Sequence, residues 1–450
     1  MNDELIRTAL RDATDTKDVV IGAGALASVP EVFRRTFGPD ARAVVIADAN
    51  TWGVAGERVQ ADLASAGVST AEPYRFPPDM FVYAEYPNIE RLRDDLRGVE
   101  ATPVAVGSGS LNDIVKRAAY ELERPYMNVA TAASMDGYTA FGAAITKGGY
   151  KQTMTCPAPR AVVADLDVLT TAPAGMTASG YGDLLGKVTA GADWIVADAI
   201  GVEPVNRSVW DLVQGPLKAS IGRPAELAAG DPGAMDNLIE GLIMSGLAMQ
   251  AAASSRPASG AEHQFSHLWE MEGLGHDWQP PLSHGFKVGI GSIAIAALYE
   301  RILARDLGEL DVDARTAAWP SAEEVERRVR AAHTTPGLDE AAVAESLAKY
   351  VDAGELGKRL EALREQWPEL RRRLQEQLVP AGRLREMLAA AGCPTGPDDI
   401  QLGRDAFRAT YTRAQMIRRR YTVLDLANEA GILDECVAEL FAPGGFWASG

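Results

Sequence analysis

The sequence predicts an α/β domain with a parallel sheet followed by an all-α domain. In the first third of the chain, short β-branched runs alternate with helical patterns, and beyond about residue 170 long helical patterns follow with few candidate strands. A chain of 450 residues also exceeds the roughly 250–300 residues at which single hydrophobic cores stop growing. We therefore predict two domains, residues 1–172 and residues 173–450, the second ending in a helical extension.

Five apolar runs of the first domain are predicted strands, at residues 18–24, 42–50, 102–110, 125–134 and 160–169. The segments SVPEVFRRTFG and LNDIVKRAAYELE carry apolar residues at helical spacing. This alternation predicts parallel β/α units with helices on both faces of the sheet. The strands are apolar without interruption, which a sheet covered on both faces requires.

The clearest helical pattern of the second domain is ELGKRLEALREQWPELRRRLQEQL, in which apolar residues recur every three or four positions. Pro368 lies inside this pattern. Because proline lacks a backbone N–H and clashes with the preceding turn, we expect a break or a helix start there.

Composition excludes several classes of partner. The chain has 62 acidic and 44 basic residues, a formal net charge of −18, so neither nucleic acid nor a membrane surface is an expected partner. The three cysteines lie far apart, which implies neither a disulfide framework nor a thiolate zinc site. The N-terminus has no apolar signal core and no long uncharged run follows, so we expect a cytoplasmic protein.

A glycine loop follows the third predicted strand. In VAVGSGSLNDIVKRAA, Gly107 and Gly109 stand between a strand and a helix, where backbone N–H groups and the helix dipole can hold a pyrophosphate. A purely structural turn can use the same residues. Asp48, at the end of the second strand, stands where an acid accepts ribose hydroxyls, with a helix N-cap as the alternative.

Four of the five histidines lie between residues 263 and 284. His263 and His267 share one helix face, and a QPP turn before His284 suits a hairpin that returns the chain to the same point. Imidazoles on facing helices build metal sites, and two of them with one carboxylate leave a position open for a substrate oxygen. The alternative is that these are ordinary core or surface histidines.

Spacing alone does not select the carboxylate. Asp183 in ASGYGDLLGKVTAGADW is a candidate because the glycines before it let another group approach closely, and a helix cap is its alternative role. We expect His276 to be solvated in a loop and His333, among helical charges, to be exposed.

Seven stretches together resemble one family, in family order and over nearly the whole chain: VGSGSLNDIVK, TAASMDGYTA, APRAVVADLDVL, GYGDLLGKVTAGADW, EHQFSHLWEM, SHGFKVGIG and RRRYTVLDLA. They resemble the glycerol-1-phosphate dehydrogenases of the arabinose-operon type, within the iron-containing alcohol dehydrogenase and dehydroquinate synthase-like superfamily. The resemblance implies a Rossmann-like nucleotide-binding domain and a helical metal- and substrate-binding domain.

The resemblance also implies roles for single residues. Asp183, His263 and His284 match the metal ligands. His267 and Asp136 match residues that face the substrate, and His267 or a metal-bound water would deliver the proton. The cofactor contacts match Gly107, Gly109, Ser110 and Asp113 at the pyrophosphate, Thr131 and Ser134 near the nicotinamide, and Asp48 at the ribose.

Two positions depart from the family pattern. Lys187 stands where iron enzymes of the superfamily carry a further histidine, which favours zinc or nickel over iron and offers a cation for a substrate phosphate. Ala140 stands where a serine is expected, so one cofactor hydrogen bond is in doubt.

The implied activity is NAD(P)-linked interconversion of dihydroxyacetone phosphate and sn-glycerol 1-phosphate by a homodimer with one divalent metal ion per site. Asp48 would repel a 2′-phosphate and so favours NAD over NADP. The alternatives are a dehydrogenase of another polyol or polyol phosphate and a dehydroquinate synthase-like lyase. A glutamate is expected in the lyases where Asp183 stands, which counts against them.

Overall fold

The computed structural model describes residues 3–148 and 150–448. Its strands are β1 (Asp18–Gly22), β2 (Arg42–Ala47), β3 (Ser69–Thr70), β4 (Tyr74–Arg75), β5 (Thr102–Gly107), β6 (Met127–Ala130), β7 (Ala143–Lys147), β8 (Tyr150–Met154) and β9 (Ala161–Asp165). Seven of them form one parallel sheet in the order β1-β9-β6-β5-β2-β3, with β4 also paired to β2. The predicted parallel α/β fold is therefore confirmed. The antiparallel hairpin of β7 and β8 was not predicted.

The helices of this region are α1 (Asp3–Asp12), α2 (Val29–Phe37), α3 (Ala49–Thr51), α4 (Glu57–Ser65), α5 (Tyr86–Leu96), α6 (Gly109–Glu121) and α7 (Leu166–Leu169). They cover both faces of the sheet. Val44 and Ile46 of β2 pack with α5 and α6 on one face. Ala43 and Val45, which alternate with them along the strand, pack with α2 and α4 on the other. This double cover explains why the strands are apolar throughout.

Beyond residue 173, the part of the chain that the structure describes consists of helices and connecting loops, with no strand. Its helices are α8 (Ala174–Leu185), α9 (Lys187–Ala199), α10 (Arg207–Ser220), α11 (Pro224–Ala228), α12 (Pro232–Ala252), α13 (Ala261–Met271), α14 (His284–Leu303), α15 (Val312–Ala317), α16 (Ala322–Ala332), α17 (Leu338–Lys349), α18 (Ala353–Gln377), α19 (Ala381–Ala390), α20 (Arg404–Arg413), α21 (Val423–Glu429) and α22 (Leu433–Phe441). Among the described helices, none combines the length and the apolar character needed to cross a membrane.

Contacts divide the chain into two compact units. One contains the residues up to Leu184 together with Asp211–Ser255, and the other contains Leu185–Trp210 together with the residues from Arg256 onward. The sheet lies in the first unit, along with α12. The second unit is helical in its described part. The predicted boundary after residue 172 follows instead the point where strands give way to helices, and it remains a prediction.

The expected break at Pro368 does not occur, because α18 continues from Ala353 to Gln377 with the proline inside it. A proline in a helix interior costs about 3 kcal/mol. Six apolar side chains of this helix are buried, each contributing about 1.5–3 kcal/mol, and a break at Pro368 would take the two that follow it out of register. They are Leu356, Leu360, Leu363, Trp367, Leu370 and Leu374.

The expected exposure of His333 is also wrong. The residue follows α16 and is 1% exposed, and neither ring nitrogen has a hydrogen-bond partner among the described residues. Burial, followed by the nearby charge of Arg413, lowers the pKa of His333 to about 4. The prediction of exposure rested on the charged residues near His333 in the sequence, but the His333 ring itself faces the interior.

One close approach fixes the position of α8. A methyl group at Gly180 would overlap the carbonyl oxygen of Ala133, in the loop after β6. Only glycine lets the helix backbone touch this loop, as the sequence interpretation of the glycines before Asp183 expects. On the same helix, nothing lies within 4 Å of the corresponding methyl position at Gly175.

We predict that His333 makes the protein acid-sensitive. Its pKa is about 4 when folded and 6.5 in the reference state, so the unfolded chain binds more protons between these values and stability falls as pH drops through the window. The full effect is of the order of 3 kcal/mol. His333→Phe should flatten thermal stability between pH 6.5 and 4.5, whereas His276→Gln, at an exposed position, should leave it unchanged. Equal acid sensitivity in the wild type and His333→Phe would contradict this.

We also predict that Gly180→Ala destabilises the protein by about 1–3 kcal/mol, because the added methyl group forces α8 away from the loop. The matched variant Gly175→Ala adds the same atoms at an exposed helical position and should keep or slightly raise the melting temperature. Calorimetry of both variants compares them directly. Equal melting temperatures would show that the close approach at Gly180 has no energetic importance.

Candidate active site

The predicted pyrophosphate loop lies at the carboxyl edge of the parallel sheet. β5 ends at Gly107, Ser108 has extended backbone, and α6 begins at Gly109 without a side-chain cap on its first turn. The first N–H groups of a helix have no acceptor within it, and the helix dipole favours an anion there. Side chains at Gly107 and Gly109 would collide with Leu111 and Met135. The two glycines allow this close packing, and the uncapped turn suits a phosphate.

Asp48 lies at the carboxyl end of β2, the neighbouring strand, and it caps α3. Its Oδ1 accepts the N–H of Thr51 at 2.8 Å, and the Thr51 hydroxyl accepts the N–H of Asp48 at 3.1 Å. The capping role that sequence analysis kept as an alternative is therefore present. It uses one oxygen of the carboxylate, so a ribose contact through the other is compatible with it.

Asp113 and Lys116 of α6 hold the loop that follows β6. The Asp113 carboxylate accepts the N–H of Ala144 at 3.2 Å and lies 3.5 Å from the Lys116 amino group. Lys116 is 1% exposed, and its Nζ donates to the carbonyls of Gly137, Ala140 and Gly142. Sequence analysis missed Lys116, although a lysine on the apolar side of a helix was a usable signal. These contacts give the loop a fixed shape.

The other predicted cofactor and substrate residues lie along this loop. The N–H of Thr131 donates to the carbonyl of Gly107 at 3.2 Å, and the Ser134 hydroxyl lies 3.2 Å from the Tyr138 hydroxyl. The Asp136 carboxylate accepts a hydrogen bond from the Ser245 hydroxyl at 2.9 Å. The backbone N–H of Asp136 donates to Oδ2 of Asp183 at 3.0 Å. Asp136 and the buried Asp183 are therefore adjacent, and Ser245 is a neighbour that sequence analysis did not single out.

The clustered histidines lie on a helical hairpin, as their spacing suggests. α13 carries His263 and His267, and α14 begins at His284, after a Ser283 cap. The ring centroid of His263 lies 5.4 Å from that of His284 and 6.0 Å from that of His267, and the last two are 5.9 Å apart. His276 is exposed in the connecting loop and is not part of this group.

Each predicted histidine ligand has a carboxylate on its Nδ1 atom. Nδ1 of His263 lies 2.7 Å from Oε1 of Glu262, and Nδ1 of His284 lies 2.9 Å from Oε1 of Glu270. A carboxylate accepts a hydrogen bond from Nδ1–H, which keeps the proton on Nδ1 and the lone pair on Nε2, the usual arrangement of a histidine that binds a metal. Sequence analysis included Glu262 and Glu270 in a motif without assigning them a role.

Two buried acids, Glu262 of α13 and Asp193 of α9, bind backbone N–H groups at the start of α13. Glu262 accepts the N–H of Gly260 at 2.6 Å and the Thr189 hydroxyl at 2.8 Å, and Asp193 accepts the N–H of Ala261 at 2.7 Å. Burial opposes ionisation of Glu262, but its bonds to His263, Gly260 and Thr189 prevail and its pKa is lowered. Burial, and next the charge of Glu262, raise the pKa of Asp193 to about 7. Glu262 is therefore the ionised member of the pair.

His267 is half-buried beside the other two rings. Burial, followed by the charge of Arg418, lowers its pKa well below 6.5, with a smaller opposing effect from Glu270. The imidazole is therefore neutral near pH 7 and able to accept a proton.

Asp183, His263 and His284 can each offer one ligand atom to a metal ion. One carboxylate and two imidazoles are donors that zinc, nickel and iron accept. Lys187 is fully buried at the first position of α9, where iron enzymes of the superfamily were expected to carry a further histidine.

Known proteins resemble this chain in sequence and in fold. The family model described as iron-containing alcohol dehydrogenase matches residues 20–173. A glycerol dehydrogenase structure from Schizosaccharomyces pombe superposes with a TM-score of 0.59 over 94% of this chain and 90% of its own, at 16% identity. That likeness shows the fold alone.

Two curated relatives are each a glycerol-1-phosphate dehydrogenase. The one from Halalkalibacterium halodurans is 38% identical over 265 residues, 57% of this chain and 64% of that protein. The one from Bacillus subtilis is 30% identical over 416 residues, 92% of this chain and 91% of that protein. Because the match to the Bacillus subtilis protein spans nearly the whole length of that protein and of this chain, the chain belongs to the NAD(P)+-dependent glycerol-1-phosphate dehydrogenase family of oxidoreductases.

Proposed function

We propose that the chain is a metal-dependent sn-glycerol-1-phosphate dehydrogenase, which interconverts dihydroxyacetone phosphate and sn-glycerol 1-phosphate with NAD(P). The observation that carries the proposal is that His263 and His284 each have a carboxylate on Nδ1, in a chain of the glycerol-1-phosphate dehydrogenase family. The names of the curated relatives supply the substrate and the cofactor.

The residues present fit a divalent metal ion. Asp183 is fully buried and its Oδ2 accepts the N–H of Asp136, so the carboxylate is held in place. The carboxylates on Nδ1 of both histidines favour Nε2 as the ligand atom. We infer zinc or nickel in preference to iron, because Lys187 replaces the additional histidine expected in iron enzymes.

The residues at the sheet edge fit a dinucleotide. The uncapped first turn of α6, with Gly107, Gly109 and Ser110, would hold the pyrophosphate, and Asp113 keeps the adjoining loop in place. Thr131 and Ser134 would lie towards the nicotinamide. Asp48 would accept a ribose hydroxyl, and its negative charge would oppose a 2′-phosphate, so we infer a preference for NAD.

The protein residues then orient the substrate and move one proton. When bound, the nicotinamide supplies the hydride and the metal supplies Lewis acidity at the carbonyl oxygen. His267, neutral near pH 7, would take the hydroxyl proton on oxidation and return it on reduction. Asp136, whose carboxylate is held by Ser245, would accept a substrate hydroxyl, and Lys187 is our candidate for the phosphate. We also infer a cytoplasmic homodimer from the family resemblance.

The purified wild type, loaded with zinc or nickel, should oxidise NADH in the presence of dihydroxyacetone phosphate. Unphosphorylated dihydroxyacetone should react more slowly, and a chelator should abolish turnover until metal is restored. Asp183→Asn removes the charged ligand and should lower kcat/KM by at least about 100-fold, since ligand and supporting groups act together at metal sites. Asp405→Asn, on the exposed side of α20, is the matched control and should retain full activity.

The measurement is the initial rate of NADH oxidation for each variant and substrate. A metal-loaded wild type that binds NADH yet leaves dihydroxyacetone phosphate unreduced would contradict the proposed substrate. Full activity in Asp183→Asn would contradict the proposed metal site.

A further inference from the structure

We propose that Glu262 and Glu270 are positioning residues that fix the tautomer and orientation of His263 and His284, and so set the affinity of the site for its metal ion. This inference rests on the proposed function, because it takes both histidines as ligands. It concerns two acids that touch neither the substrate nor the three proposed ligand atoms.

Hydrogen-bond donors contact both carboxylate oxygens of Glu262. Its side chain is fully buried, and Oε1 lies 2.7 Å from Nδ1 of His263 and accepts the N–H of Gly260 at 2.6 Å. Oε2 accepts the hydroxyl of Thr189 at 2.8 Å. Because these bonds come from α9 and from the start of α13, the carboxylate cannot turn without losing several of them, and His263 is held with it.

Glu270 performs the same task for His284 from the other end of α13. Its Oε1 lies 2.9 Å from Nδ1 of His284 and 3.4 Å from the amino group of Lys287, and its side chain is 4% exposed. The hydroxyl of Ser266 lies 3.2 Å from the same ring nitrogen. His284 is the more exposed of the two ligands, at 27% of its side chain, so the carboxylate restrains a ring that solvent would otherwise leave mobile.

The chemical consequence follows from the charge on the acceptor. A carboxylate that accepts a hydrogen bond from Nδ1–H makes Nε2 a stronger electron-pair donor to a cation and keeps the ring plane in one orientation before the metal arrives. Loss of such a partner typically weakens metal binding by about 10–100-fold. A glutamine at residue 262 can keep its oxygen towards Gly260 and His263 and turn its NH2 group towards the Thr189 hydroxyl, so the substitution removes the negative charge of the acceptor and keeps its shape.

The test uses Glu262→Gln and Glu270→Gln in the full-length protein, with Glu272→Gln as the control. Glu272 lies at the end of α13 and pairs with Arg413, so its substitution removes the same charge nearby without touching a histidine. Zinc affinity is measured by competition with a chelator, and the visible spectrum of the cobalt-loaded protein reports the ligand geometry. Because the chain has only five histidines, ¹⁵N NMR of the metal-free, histidine-labelled protein resolves each tautomer.

We expect each of the two test variants to bind zinc about 10–100-fold more weakly, with an altered cobalt spectrum, while Glu272→Gln matches the wild type. In the metal-free wild type, two histidines should carry the proton on Nδ1, and in each test variant one of them should shift towards the tautomer protonated on Nε2, because an uncharged amide oxygen is the weaker acceptor. If Glu262→Gln fails to fold, Glu270→Gln and the tautomer of His284 decide the matter.

Unchanged zinc affinity and unchanged tautomers in folded variants would overturn the inference and leave the proposed function intact. A wild-type protein that binds no divalent metal would overturn both.

Discussion

The buried carboxylate of Glu262 is the point on which the geometry of the histidine hairpin depends. A buried anion must have its hydrogen bonds supplied by the protein, and here they come from α9, from the backbone before α13 and from His263. The neighbouring Asp193 binds the next N–H of α13, the hydroxyl of Tyr299 and the N–H of Val423. The two acids thereby connect the first turn of α13 to α9, α14 and α21. The hydrogen bond to Glu262 then orients the ring of His263.

The sheet-bearing unit achieves a comparable precision by other means. Its loop after β6 is held from within by the amino group of Lys116 and approached by α8 at Gly180, where only a glycine fits. These restraints place Asp136 against Asp183, while the first turn of α6 begins without a side-chain cap at the carboxyl end of β5. Rigid scaffolding of this kind holds reactive groups more closely than a mobile loop does.

The parallel sheet and the hairpin were predictable because both depend on periodicity. Uninterrupted apolar runs and the four-residue spacing of two histidines can be recognised in the amino-acid sequence alone. The predictions for Pro368 and His333 were wrong because tertiary packing overrides local preference. At Pro368 the helix continues because apolar side chains on both sides of the proline are buried. At His333 the ring is buried although its neighbours in the sequence are charged. The roles of Glu262, Glu270, Lys116 and Ser245 depend on partners distant in sequence or on the direction of a side chain. Spacing does not encode either.

The central claim is that one divalent metal ion is held jointly by Asp183, His263 and His284. A crystal structure of the zinc-loaded protein, with anomalous difference density recorded at the zinc edge, tests it most directly. The account predicts a single peak at about 2.0–2.2 Å from a carboxylate oxygen of Asp183 and from Nε2 of both histidines. A peak bound through Nδ1, or one located elsewhere in the chain, would contradict it.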